Sequence, residues 1–139
     1  MLDNFNVKII DLLKKDSRTS YAEIGRIIHL SPSSVRERVQ YLIDTGFIKS
    51  FSIEIDPTKL GYELEAFITI KLFSGKLKNF ISIVNQFKEV QQSYRITGNQ
   101  NVLLKVLFKD HKHLQSFLDI IMVYGDTTTY MVLSKIEDK

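Results

Sequence analysis

Ser31-Pro32-Ser33-Ser34-Val35-Arg36-Glu37-Arg38-Val39-Gln40 gathers hydroxyls, two guanidiniums, a carboxylate and an amide around two valines. At helical spacing Val35, Val39 and Leu42 form one i, i+4, i+7 stripe and turn inward. Ser33, Ser34, Arg36, Glu37 and Gln40 then lie outward or on the flanks. Such groups suit the donor and acceptor edges that base pairs show in the major groove of DNA, and a guanidinium can take guanine O6 and N7 together. Arg36 is the expected base reader. Arg38 and Ser31 are expected to position the phosphate backbone, helped by the free amides of a helix start. Lys14, Lys15, Arg18 and Arg26 are further candidates for phosphate contacts.

The elements that must carry these groups are marked by their ends. Asp3 opens a first helix with Phe5, Ile9, Leu12 and Leu13 at helical spacing, which stops before Ser17. Ser20-Tyr21-Ala22-Glu23 spells a capping box, in which hydroxyl and carboxylate each satisfy the other's free amide, and Ile24, Ile27 and Ile28 supply the inner face of a short second helix. Ser31 caps the third helix, and Pro32 stands at its first position, where a missing N–H costs nothing. Asp44-Thr45-Gly46 ends it. Two helices joined by a four-residue link make a helix-turn-helix, which lays its second helix in the major groove. The same geometry also builds purely structural helical units.

Beyond Gly46 the period changes. Phe51, Ile53 and Ile55 alternate with Ser52, Glu54 and Asp56, which predicts a half-buried strand from Phe47 to Ile55. The remainder reads as a strand (64–73), a helix (77–87, with Phe80, Ile81 and Val84 inward), strands (90–97 and 102–108), a helix from Asp110 with Leu114, Phe117, Leu118 and Ile121 inward, and a strand (127–136). That βαββαβ order is the ferredoxin-like sandwich, so the chain is expected to be α+β. Its helices cover one sheet face. The other, with Phe67, Thr69, Lys71 and Phe73 on the first strand, is too apolar to stay wet and implies a second copy of the chain. The expected organisation is a helix-turn-helix domain at 1–46, a hinge strand and linker at 47–61, and an oligomerisation and effector domain at 62–139.

Composition narrows the function classes. At 139 residues with no cysteine, the chain has no room for a large catalytic barrel, and disulfides, thiolate metal sites and cysteine nucleophiles are excluded. The net charge of +3 is spread evenly, with 9 basic and 8 acidic side chains in residues 1–60 against 10 and 8 in residues 61–139, so charge alone does not announce DNA. No apolar run reaches membrane length and MLDNFNVK lacks a signal pattern, giving the expectation of a cytoplasmic, nucleoid-associated protein away from membranes. No glycine-rich phosphate loop or nucleophile elbow occurs, and no cofactor or metal is expected. His111 and His113, two apart, point to different sides of a helix and read as surface residues.

LDNFNVKIIDLL, SRTSYAEIGRIIHLSPSSVRERVQYLIDTGFIKSF, DPTKLG and TGNQNVLLKV, in this order, resemble the Lrp/AsnC (feast/famine) transcriptional regulators nearly end to end. The resemblance implies a winged or extended helix-turn-helix whose recognition helix starts at Ser31, a hinge strand, and a ferredoxin-like domain that dimerises and often forms octamers. The two-fold symmetry of a dimer predicts a palindromic site on double-stranded DNA. The resemblance also implies a small-molecule effector held between subunits by the turn Gly98-Asn99-Gln100-Asn101, with Thr127 and Thr129 alongside. Three departures stand out. Asn6 replaces an aspartate usual in the family and removes a charge favourable to the first helix dipole, worth about 0.3 to 1 kcal/mol. His29 replaces a glycine and must take up a left-handed conformation. Asn99 and Asn101 replace two acids, and a buried α-ammonium without an opposing charge loses several kcal/mol, so ordinary α-amino acids are expected to bind weakly or not at all. The turn also reads as a plain hairpin connection. Alternatives of other classes are a tetrapyrrole-decarboxylase-like enzyme of the same layout and a small-molecule sensor with little DNA binding.

Overall fold

A side-chain oxygen starts each of the first three helices. In the computed structural model, which describes residues 2–137, α1 spans Asn4–Lys15, α2 Tyr21–Ile28 and α3 Pro32–Asp44. Asp3, Ser20 and Ser31 accept from the amides of Asn6, Glu23 and Ser34 at 2.8, 3.1 and 3.1 Å, each satisfying a donor with no partner inside its helix. The reciprocal half of the expected capping box is not made. Glu23 instead forks onto Arg26 at 2.6 and 3.0 Å, because a charge-assisted pair of bonds outweighs one bond to a neutral amide. The Arg26 guanidinium holds the Glu23 carboxyl below its ordinary value.

Ile9, Ile24, Ile28, Val35, Val39 and Leu42 make the core of this first unit, which runs to Glu54. Two inward faces differ from the expected ones. Phe5 and Ile27 stand at the surface, while Asn6 and Gly25 are buried. Asn6 is tolerated there because its Oδ1 accepts from Arg38 Nη1 at 3.2 Å, and a buried amide needs such a partner. Its side chain therefore serves the α1–α3 contact. Gly25 is buried for another reason: a Cβ on it would lie 2.3 Å from the Leu30 carbonyl oxygen, so α2 meets the following turn more closely than any side chain permits. His29 does take the left-handed conformation, at φ 61° and ψ 46°.

The alternating stretch from Phe47 to Ile55 makes no ladder. Lys49 to Asp56 have no regular secondary structure and Ile53 is 79% exposed. A strand is held by the amides and carbonyls of a neighbour, and the described residues of this unit include no strand to offer them.

The second unit starts at Ile55 and contains β1 Leu64–Leu72, α4 Leu77–Ile83, β2 Val90–Arg95, β3 Val102–Phe108, α5 His111–Ile121 and β4 Gly125–Met131. The strands form one antiparallel sheet in the order β2-β3-β1-β4, the βαββαβ arrangement that the pattern foretold. Ala66, Ile68, Ile70, Leu104, Val106 and Phe108 pack against Phe80, Val84, Phe117 and Ile121 of the helical layer. Val84 sits in a 3-10 turn, Val84–Gln86, that replaces the expected end of α4. The inward line runs through Phe80, Val84 and Phe87 and leaves Ile81 exposed. β4 stops at Met131, short of Ile136, because β1 runs out beside it: Met131 pairs with Ala66, two residues from the start of β1, and Leu133 is 97% exposed. On the other face Phe67, Tyr94 and Tyr130 are exposed beside Leu103 and Leu107. Among the described residues no helix is long and apolar enough to cross a membrane.

Candidate functional site

α3 turns Val35, Val39 and Leu42 into the core and leaves Ser33, Arg36, Glu37 and Gln40 exposed, with Ser34 and Arg38 half-buried on the flanks. Positions three and four apart share a helix face, so the four exposed groups form one polar stripe. Ser31, at its head, is occupied as the cap and lies 3.1 Å from the Ser33 hydroxyl. Gln40 Nε2 donates to Asp44 at 2.8 Å. Lys14, Lys15, Arg18 and Lys49 line an open groove of about 910 Å³ beside Ile10, Leu13 and Phe51. Arg26 is exposed but tied to Glu23.

The two arginines of α3 part company. Each guanidinium lies over an aromatic ring, Arg36 at 5.5 Å from the centroid of Tyr21 and Arg38 at 5.0 Å from that of Phe5. Arg38 Nη1 also donates to Asp3 at 2.6 Å and to Asn6, so Arg38 clasps α1 to α3 across 35 residues of chain. That hydrogen bond holds the Asp3 carboxyl below its ordinary value. The Arg36 side chain makes no hydrogen bond to any described residue. Periodicity assigned the two side chains to faces but carried no signal for this division of labour, or for Tyr21 and Phe5 as their platforms.

At the other candidate site, Gly98 takes φ 113° and Ile96 N–H donates to the Asn101 carbonyl at 2.8 Å, closing a loop between β2 and β3. Asn101 is a structural staple. Its N–H donates to Ile70 O and its Oδ1 accepts from Leu72 N–H, each at 2.8 Å, which carries the β1–β3 pairing one residue past the ladder. Asn99 is exposed and Gln100 half-buried. Thr127 and Thr129 lie on β4 opposite Ile70 and Ile68, half-buried on the helical side. The loop and Thr127 thus share one end of the sheet. Since β1 separates β3 from β4, two strand spacings of about 10 Å lie between them.

His113 is not the surface residue its spacing from His111 suggested. Its Nδ1 accepts from Lys109 N–H at 3.0 Å and its Nε2 meets Glu89 at 2.8 Å. Burial, the largest single influence, pushes the Glu89 carboxyl up, but the hydrogen bond from His113, a backbone hydrogen bond and the nearby charges of His113 and Lys88 together leave it below its ordinary value. The partner is 24 residues away in sequence, beyond any local pattern. No group of three or more metal-ligating side chains occurs among the described residues.

Comparison with known proteins covers both units. The AsnC-type helix-turn-helix domain family matches residues 2–43 and the Lrp/AsnC ligand binding domain family matches residues 65–139. The chain is 34% identical over 138 residues to the HTH-type transcriptional regulator LrpC of Bacillus subtilis, covering 99% of this chain and 96% of that protein. It is 35% identical over 121 residues to the regulator FL11 of Pyrococcus furiosus, covering 87% and 80%. The solved structure of B. subtilis LrpC superposes with a TM-score of 0.93 over 100% of this chain and 99% of that one, at 34% identity. Escherichia coli AsnC gives 0.87 at 28% identity, over 100% and 97%. These relatives are regulators rather than enzymes, so the decarboxylase alternative falls away. With a DNA-binding helix pair, a ligand-binding domain and these relatives on the same chain, the protein belongs to the Lrp/AsnC family of helix-turn-helix transcriptional regulators.

Proposed function

We propose that two copies of this regulator, joined through the bare sheet face around Phe67, Tyr94 and Tyr130, set their third helices into successive major grooves of a palindromic DNA site. The observation that carries this reading is the exposed stripe of α3, where the Arg36 guanidinium holds donors with no hydrogen-bond partner among the described residues. Arg36 reads a guanine, with Ser33, Ser34, Glu37 and Gln40 bearing on neighbouring edges. Ser31 and the helix start face a phosphate. Arg38 supports them from within the α1–α3 clasp. The apolar sheet face favours a dimer because a monomer would leave these aromatic residues in water. Larger assemblies, octamers included, build on that pair, and the regulator works on DNA in the cytoplasm at the nucleoid.

Binding-site selection from random duplexes, with sizing by light scattering, tests recognition and symmetry together. Arg36→Ala is expected to cost about 1 to 3 kcal/mol on the selected site and to relax preference at one base pair of each half-site. An unchanged selected sequence would remove Arg36 from base reading.

A small polar effector at Gly98–Asn101, Thr127 and Thr129 is the companion proposal. Asn101 limits what it can be. An aspartate there could bond Leu72 N–H with one oxygen and face a ligand with the other, whereas the amide spends its only oxygen on Leu72 and presents N–H donors. An α-ammonium would meet like polarity, so a carboxylate or neutral polar ligand fits better. Calorimetric titration with leucine or lysine is expected to show no micromolar binding. Micromolar heats would overturn this.

A further inference from the structure

We infer that Tyr21 is a positioning residue for base recognition, a platform that holds the Arg36 guanidinium ready for the DNA; this rests on the reading of Arg36 given above. Tyr21 is the first residue of α2 and is half-buried against the core formed by Ile24, Val35 and their neighbours. Its ring therefore has a fixed place. Arg36, one turn into α3, lies over that ring at 5.5 Å, inside the distance at which a cation is drawn to an aromatic face. An aromatic face attracts the cation without consuming any of its N–H donors. An arginine held over a ring thus gives up side-chain freedom before DNA arrives and keeps its donors for a partner. Ordering in advance lowers the entropy lost on binding.

α3 carries its own internal comparison. Arg38 lies over Phe5 in the same manner, at 5.0 Å, and from that posture its Nη1 reaches the oxygens of Asp3 and Asn6 at 2.6 and 3.2 Å. Lying over a ring and donating hydrogen bonds are therefore compatible in this helix. Arg36 differs in that no acceptor among the described residues occupies its edge. In the complex a guanine edge takes that place.

The test is a double-mutant cycle on the full-length protein with the selected duplex and with duplexes changed at single base pairs. Tyr21→Leu is expected to lower discrimination at the base pair read by Arg36 about 2- to 30-fold, the range expected of such contacts. Preference at other base pairs and affinity for random duplex should stay as in the parent. Tyr21→Phe, which keeps the ring, should match the parent and guards against a folding defect in the leucine variant. In an Arg36→Ala background, Tyr21→Leu should do nothing more. Equal losses in both backgrounds, unchanged discrimination in Tyr21→Leu, or a Tyr21→Phe variant as impaired as Tyr21→Leu would each overturn the platform role. Should Arg36→Ala alone leave the selected sequence unaltered, the base-reading assignment itself fails and the platform role with it.

Discussion

Raising the salt from about 50 to about 200 mM is expected to weaken binding of the cognate duplex about 10³- to 10⁵-fold. The expectation comes from where the cations stand. Lys14, Lys15, Arg18 and Lys49 line one groove of the DNA-binding unit, and the capped start of α3 adds free amides. Three to five such groups per subunit give a symmetric pair about 6 to 10 phosphate contacts, each releasing condensed counterions into a medium that resists them more as salt rises. Fluorescence anisotropy at several salt concentrations measures the slope. A change smaller than about tenfold over that range would mean that these side chains do not lie along the phosphates, and would favour a sensor that has lost its grip on DNA.

Leu42→Ala should abolish DNA binding and leave the second unit folded. Leu42 is fully buried in a small core that has six buried hydrophobic residues among those described, and truncating such a leucine costs about 2 to 5 kcal/mol. A unit of this size has little stability in reserve, since small domains bury a lower fraction of their surface. The second unit has a separate core around Ile68, Leu104, Phe108 and Phe117, untouched by the change. Scanning calorimetry should show the transition of the first unit lost or moved well below that of the second, and light scattering should show assembly retained. A variant that melts and binds like its parent would mean that this core is not what holds α3 in place.

Much of this protein could be read without coordinates, and the readable parts share a property. Asp3, Ser20 and Ser31 cap because their partners are three residues away, and Val35, Val39 and Leu42 point inward because they recur with the helix period. His29 turns left-handed because the link between two helices demands it. The βαββαβ order survives because each segment keeps its own period. The failures share the opposite property. Gly25 sits in a helix interior with no local motive; its reason is the carbonyl of Leu30. Helical spacing puts Phe5 inside and makes Asn6 a matter of helix dipole, yet Arg38 bonds the buried amide and lies over the ring of Phe5 at the surface.

By itself, then, the sequence determined the three capped helices of the first unit, the βαββαβ order of the second, and that a polar stripe rides on α3, since all of this depends on groups within a turn or a pleat of one another; the strand expected over Phe47–Ile55 failed because it needs a neighbour that no local pattern supplies. Only the tertiary structure decided which arginine is free. Arg36 and Arg38 are two residues apart and chemically identical, and they differ because Asp3, 35 residues upstream of Arg38, comes within hydrogen-bonding reach of one and not the other. The same holds for Asn101, whose oxygen is spent on an amide 29 residues away. Long polar side chains take their meaning from partners that only folding brings near, and those partners settle whether a donor is spent inside the protein or left for another molecule.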